Sequence, residues 1–150
     1  MNPFPILLVV HIALAVSLLL PSVVLPFVLR RSSAAEPGTA VRALMAVQGT
    51  GTLLISLGLA ATGIAMLWIL GPQLLTQPWL IVALALYAAN LAAAALISRP
   101  NLRALVGLGQ GTSDEATWRR RARRQRLVAY AMAGVIGVIG FLMSTKPALW

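Results

Sequence analysis

The chain has 150 residues, 59% hydrophobic and 10% charged, with no cysteine, and its mean hydropathy is +0.88. A soluble domain carries about a quarter of its residues as charges, so this composition excludes a water-soluble globule, a disordered chain and a disulfide-stapled secreted domain. The 12 basic and 3 acidic side chains give a formal net charge of +9, and all of them lie outside the long apolar runs.

The first apolar run covers about residues 4–29 and the second about 43–70; the third covers 79–98 and the fourth 127–145. A bilayer core of ~30 Å is crossed by about 20 apolar residues in helical form. Four transmembrane helices, and an all-α integral membrane bundle in a single domain, follow directly. No alternating strand pattern supports a β-barrel. The first run differs from a cleaved signal peptide: it lacks a basic start, it is too long, and Arg30 and Arg31 precede the small residues at 33–35. A retained first helix is the expectation, bent near its end by Pro21 and Pro26.

The connections set the orientation. The first carries Arg30, Arg31 and Arg42 against Glu36; the second, residues 71–78, carries no charge. The third carries Arg99, Arg103, Arg119, Arg120, Arg121, Arg123, Arg124 and Arg126 against Asp114 and Glu115. The first and third connections share a side in a four-span chain, so the positive-inside rule places them in the cytoplasm and both termini outside. Trp68, Trp79 and Trp150 would then form an aromatic belt at the outer surface. Within the third connection, Thr112-Ser113-Asp114-Glu115 reads as a capping box that opens an amphipathic cytoplasmic helix over about residues 113–126, continuous with the fourth span.

Small residues suggest where helices meet, because association in lipid depends on close backbone approach. Ala129, Ala133, Gly137, Gly140 and Ser144 form one row on the fourth helix, and Ala85, Ala88, Ala92 and Ala95 another on the third. The second contributes Gly49, Gly51, Gly58 and Gly63.

Few residues offer chemistry. His11, the single histidine, lies about 10 Å inside the first helix at 1.5 Å per residue. It can ligate haem iron or form a hydrogen bond to a neighbouring helix. Gln48, Thr52 and Ser56 make a polar line on the second helix, and Tyr87 and Asn90 share a face of the third. With Gln48, Tyr87 and Asn90 they are candidates for a pocket, or for structural hydrogen bonds between helices. The cluster Arg119, Arg120, Arg121, Arg123, Arg124 and Arg126 suits anionic lipid headgroups or an acidic partner, beyond its role as an orientation signal. Nucleic-acid binding does not fit charge held at a membrane surface. Scattered methionines give no copper motif, and the spans contain no acidic residue. No phosphate loop, catalytic triad or metal cluster is present in the sequence, and no catalytic residue is assigned.

Three segments carry a family resemblance: His11-Ile12 with Leu25-Pro26, residues 62–67 (TGIAML) followed by Trp79-Leu80, and residues 141–147 (FLMSTKP). In these the chain resembles small bacterial four-helix membrane proteins of unknown function, a group similar to copper-resistance D-like domains and to haem-binding protoporphyrinogen oxidase. The resemblance implies a bacterial inner-membrane location and haem b held by His11. The expected function is a membrane binding or accessory protein, holding haem b or docking as a subunit on other membrane proteins or on itself. The alternatives are a haem-dependent oxidoreductase of porphyrin metabolism and, third, a transporter of metal or small solutes.

Overall fold

The structure, a computed structural model, describes residues 3–31, 38–108 and 114–147. Four helices in it are long and apolar enough to cross a membrane: Phe4–Arg31, Thr39–Leu70, Pro78–Gly107 and Glu115–Thr145. They alternate in direction, so Arg30, Arg31, Arg42, Arg99, Arg103 and the arginines of 119–126 gather at one end of the bundle, and the uncharged connection lies at the other. The first span packs against the second and the fourth, and the fourth also packs against the third.

Local chemistry sets the helix limits. The first span ends on Arg30 and Arg31, cations in the last turn where the helix dipole favours them. Pro21 and Pro26 are buried inside this one unbroken helix. The uncharged connection starts at Gly71, whose φ of +99° and ψ of 150° suit glycine alone. A 3₁₀ turn follows over Pro72–Thr76, and Pro78 opens the third span, where its missing N–H costs nothing. The fourth helix is capped by Asp114. The Ala116 N–H donates to its Oδ1 (3.0 Å), and the Thr117 hydroxyl donates to its Oδ2 (2.9 Å). The Thr117 bond and then the Ala116 bond hold this carboxyl below its ordinary pKa. Thr112 and Ser113 of the expected capping box lie outside the described residues, and the helix begins at Glu115.

Two π-helical turns interrupt the spans, Val47–Gly51 in the second and Ala94–Ser98 in the third. The latter has a local cause. Pro100 has no N–H, and its ring collides with the carbonyl four residues back in a regular α-helix. A π turn just before it re-spaces the carbonyls and lets the helix continue. The third helix therefore runs on to Leu108, where the sequence suggests a connection from residue 99. Likewise the second helix starts at Thr39, four residues before the apolar run.

These extensions build the core. Leu25, Leu29, Val41, Met45, Leu102, Leu105, Trp118 and Ala122 form one buried cluster at the arginine-bearing end. No residue before Leu18 in the first span, or after Ser56 in the second, is fully buried. Two expectations are corrected here. Trp79 is tucked inside at 8% exposed, whereas Trp68 stands out at 86%, and Trp150 lies outside the described residues. The alanine row of the third span also turns away from the bundle, with Ala85, Ala88 and Ala92 exposed. The buried positions there are Trp79, Leu80, Ala83, Asn90, Ala94 and Ser98. On the fourth span the row starts buried at Ala129 and ends exposed at Gly137, Gly140 and Ser144. At about 100° per residue Gly137 lies about 80° around the helix from Ala129 and leaves the packed face. Two glycines of the second span face the first: a Cβ on Gly58 would lie 3.4 Å from Leu14, and one on Gly63 would lie 3.5 Å from His11, both at van der Waals contact.

Candidate functional site

His11 sits between the first and second spans. Its Nδ1 lies 2.8 Å from Thr62 Oγ1. That hydroxyl donates to the carbonyls of Gly58 (3.0 Å) and Leu59 (3.0 Å), so its single proton is already in use. With that proton on a carbonyl, the His11–Thr62 bond is one the ring can donate through Nδ1–H, the tautomer that keeps the lone pair on Nε2. Gly63 supplies the flat surface beside the ring. A half-buried imidazole, oriented by a hydroxyl with Nε2 left over, is the arrangement in which histidine serves as a metal ligand, and it also suffices as a tie between helices.

The other candidates make separate contacts. Gln48, on the first π turn, donates from Nε2 to Ser22 Oγ at 3.3 Å, while Ser22 donates to the Leu18 carbonyl. Tyr87 donates to the Ser56 carbonyl at 2.6 Å and ties the third span to the second. Asn90 is buried, with its Oδ1 free of any hydrogen bond; so is Oε1 of Gln48. The polar line Gln48, Thr52 and Ser56 faces inward, and all three are buried. Gln48 and Tyr87 belong to different helix-to-helix contacts, and none of the contacts described joins Gln48, Tyr87 and Asn90 in one cavity.

The arginine cluster is a helical face rather than a tail. Arg119, Arg120, Arg121, Arg123 and Arg124 are exposed, and Arg126 is half-buried. Arg119 pairs with Glu115 one turn back, at 3.0 Å. Between the arginines, Trp118, Ala122, Gln125, Ala129 and Met132 are buried at spacings of four, three, four and three. This is the heptad rhythm of a packed seam, and it could be read in the sequence as the uncharged positions inside the arginine run.

Gln125 was the residue that sequence reasoning passed over. It is fully buried and donates to Ser98 Oγ at 2.7 Å. Asn101 donates to Gln125 Oε1 and to the Arg121 carbonyl, both at 3.1 Å. Ser98, Asn101 and Gln125 thus lock the third and fourth spans at the level where the arginines begin. Nearby, a groove of about 180 Å³ opens between the second and third spans, lined by Met45, Ala46, Gly49, Thr50, Arg99, Leu102, Arg103 and Val106. Among the described residues no group of His, Cys, Asp and Glu could hold a metal ion.

Four apolar spans, an all-helical fold and interhelical ties made of neutral polar side chains define an integral membrane protein. The chain belongs to the DUF2269 family of predicted integral membrane proteins, whose family model matches residues 5–147. No curated protein and no solved structure matches it.

Proposed function

We propose that this protein is a non-catalytic membrane subunit that docks on another membrane protein through the outward face of its fourth span. The supporting observation is the row Gly134, Gly137 and Gly140. A Cβ built on any of the three meets nothing within 4 Å, so the glycines serve no packing inside the chain. In lipid, such positions allow the backbone of a second helix to approach closely, where dispersion and weak Cα–H bonds act over a long contact. Glycine also lowers helix propensity, by about 1 kcal/mol relative to alanine, and an intermolecular contact accounts for three of them within an arc of about 120°. The arginine-bearing end lies in the cytoplasm of a bacterial inner membrane on this reading, supported by the charge asymmetry of the connections.

Photo-crosslinking in native membranes tests the docking. A photoreactive residue at Gly137 is expected to give a discrete protein adduct, and one at the exposed Val23 of the first span only lipid adducts. Lipid adducts alone at both positions refute the docking face. An impermeant thiol reagent applied to intact cells should label Thr76→Cys in the uncharged connection; labelling only after lysis refutes the orientation.

A second reading, haem b on His11, is favoured by the hydrogen bond that engages Nδ1 with Thr62, the orientation in which Nε2 is the nitrogen offered to a metal. The fit is partial: the chain supplies one imidazole, so a second axial ligand would come from a methionine or from another chain. Haem would bring electron-transfer chemistry, and an oxidoreductase of porphyrin metabolism stands or falls with the same residue. A Soret band in the purified protein that vanishes in His11→Ala supports this reading. A colourless protein from cells with ample haem refutes it.

A further inference from the structure

We propose that the groove between the second and third spans at the arginine-bearing end binds a phosphate-bearing anion, with Arg99 and Arg103 as its ligands. Arg99 differs from the arginines that serve as orientation signals. Those at 30, 31, 42, 103, 119, 120, 121, 123 and 124 are exposed and Arg126 is half-buried, whereas Arg99 is half-buried and, alone among the described arginines, has an enclosed Nε with no hydrogen-bond partner. An enclosed guanidinium N–H without an acceptor carries its desolvation penalty, and an anion seated against the same guanidinium offsets it. Arg103 lies one turn further along the same helix face, and both line the same groove. The one salt bridge found among the described residues is Arg119–Glu115, so neither Arg99 nor Arg103 is paired with a described acidic side chain.

The rest of the groove suits the same ligand. Thr50 adds a hydroxyl, and Gly49 leaves open room beside it, since an added Cβ would meet only Leu102, at 3.9 Å. Met45, Leu102 and Val106 give the wall an apolar side. A volume of about 180 Å³ equals that of about six waters at ~30 Å³ each, enough for a phosphate group with the first atoms of its ester. The groove opens where the spans leave their apolar stretches, the level of headgroups, and basic pockets between helices at that level hold anionic headgroups. A lipid phosphodiester and free inorganic phosphate share the chemistry the two arginines select, and the experiment separates them.

Native mass spectrometry of the detergent-solubilised full chain is the test, with phosphatidylglycerol, phosphatidylcholine or inorganic phosphate added in turn. Wild type should retain one phosphatidylglycerol and no phosphatidylcholine. Arg99→Gln/Arg103→Gln should weaken retention about twenty-five-fold, about fivefold per arginine. Arg30→Gln/Arg31→Gln, exposed arginines outside the groove, should retain the lipid as wild type does. Arg103→Gln alone, an exposed substitution that leaves the core intact, should lose about fivefold and keeps the test valid if the double variant misfolds. Retention of inorganic phosphate, with competition against the lipid, supports the site with free phosphate as its ligand. Equal loss in the Arg99/Arg103 and Arg30/Arg31 variants, or no arginine-dependent binding of either probe, overturns the proposal.

Discussion

Replacing Ser98 and Gln125, singly and together, measures the seam that locks the third span to the fourth. In the native chain Gln125 Nε2 donates to Ser98 Oγ at 2.7 Å, and Asn101 Nδ2 donates to Gln125 Oε1 at 3.1 Å. Gln125 is 0% and Ser98 1% exposed, so water replaces neither bond when a partner is lost. Ser98→Ala strands the Gln125 amide with no acceptor and should cost about 1–2 kcal/mol, above the ~0.6 kcal/mol average for interhelical bonds in membranes. Gln125→Leu removes both bonds at similar volume; Asn101 keeps the Arg121 carbonyl, so the cost is again about 1–2 kcal/mol. The double variant has no stranded amide. It should therefore cost less than the two single changes combined, by about 1 kcal/mol or fivefold in the unfolding equilibrium. Reversible denaturant unfolding in mixed micelles, followed by far-ultraviolet circular dichroism, reads all four species. Additivity within about 0.3 kcal/mol would refute the coupling and with it the assignment of Gln125 as the lock.

Three further outcomes are expected. Trp118→Ala removes the largest side chain of the buried cluster and should destabilise the protein by about 3–5 kcal/mol in the same assay, against less than about 0.5 kcal/mol for the exposed Trp68→Ala. Gly71→Ala should cost about 1–3 kcal/mol because its φ of +99° is closed to L side chains. Adding Gln73→Ala should not restore stability, although Gln73 is the side chain a Cβ at Gly71 would meet. Asp114 has a folded pKa below its unfolded value, so its capping contribution is present in full above the unfolded pKa and lost as pH falls through the lower folded one. Amide exchange at residues 116–118 should accelerate, relative to the rest of the helix, only on acidification below about pH 4, and Asp114→Asn should flatten that dependence.

The spans could be read from the sequence because hydropathy over 20 residues is a strong signal and every backbone group must be satisfied within its own helix. Helix ends were less legible. Arg99-Pro100 looks like a boundary by both charge and proline, yet the π turn at Ala94–Ser98 carries the helix through to Leu108. The inward line Gln48, Thr52 and Ser56 was visible as a polar stripe in an apolar helix. The lock at Ser98, Asn101 and Gln125 was hidden because those residues fall inside or beside the arginine run, where charge draws attention from the heptad spacing of Trp118, Ala122 and Gln125. Small-residue rows misled for a different reason. In lipid, alanine is at ease on either face, so Ala85, Ala88 and Ala92 carry no information about which side is packed.

One difference in solvent explains where the core sits. Between lipid tails an apolar side chain gains nothing from leaving its surroundings, so helices there are held by neutral polar ties such as His11–Thr62, Tyr87–Ser56 and Gln48–Ser22. At the arginine-bearing end the helices extend past their apolar runs into headgroups and water, and there the hydrophobic effect acts in full. The buried cluster from Leu25 to Trp118 lies at that end. Helices clamped at one end and loosely tied at the other leave the halves of the first two spans away from the arginines, and the glycine-bearing side of the fourth, available to lipid or to another protein. The arginines are thus more than an orientation signal: they mark the level at which this chain acquires a core, and Arg99, the one with an enclosed and unpartnered nitrogen among the described residues, marks where that core meets a groove.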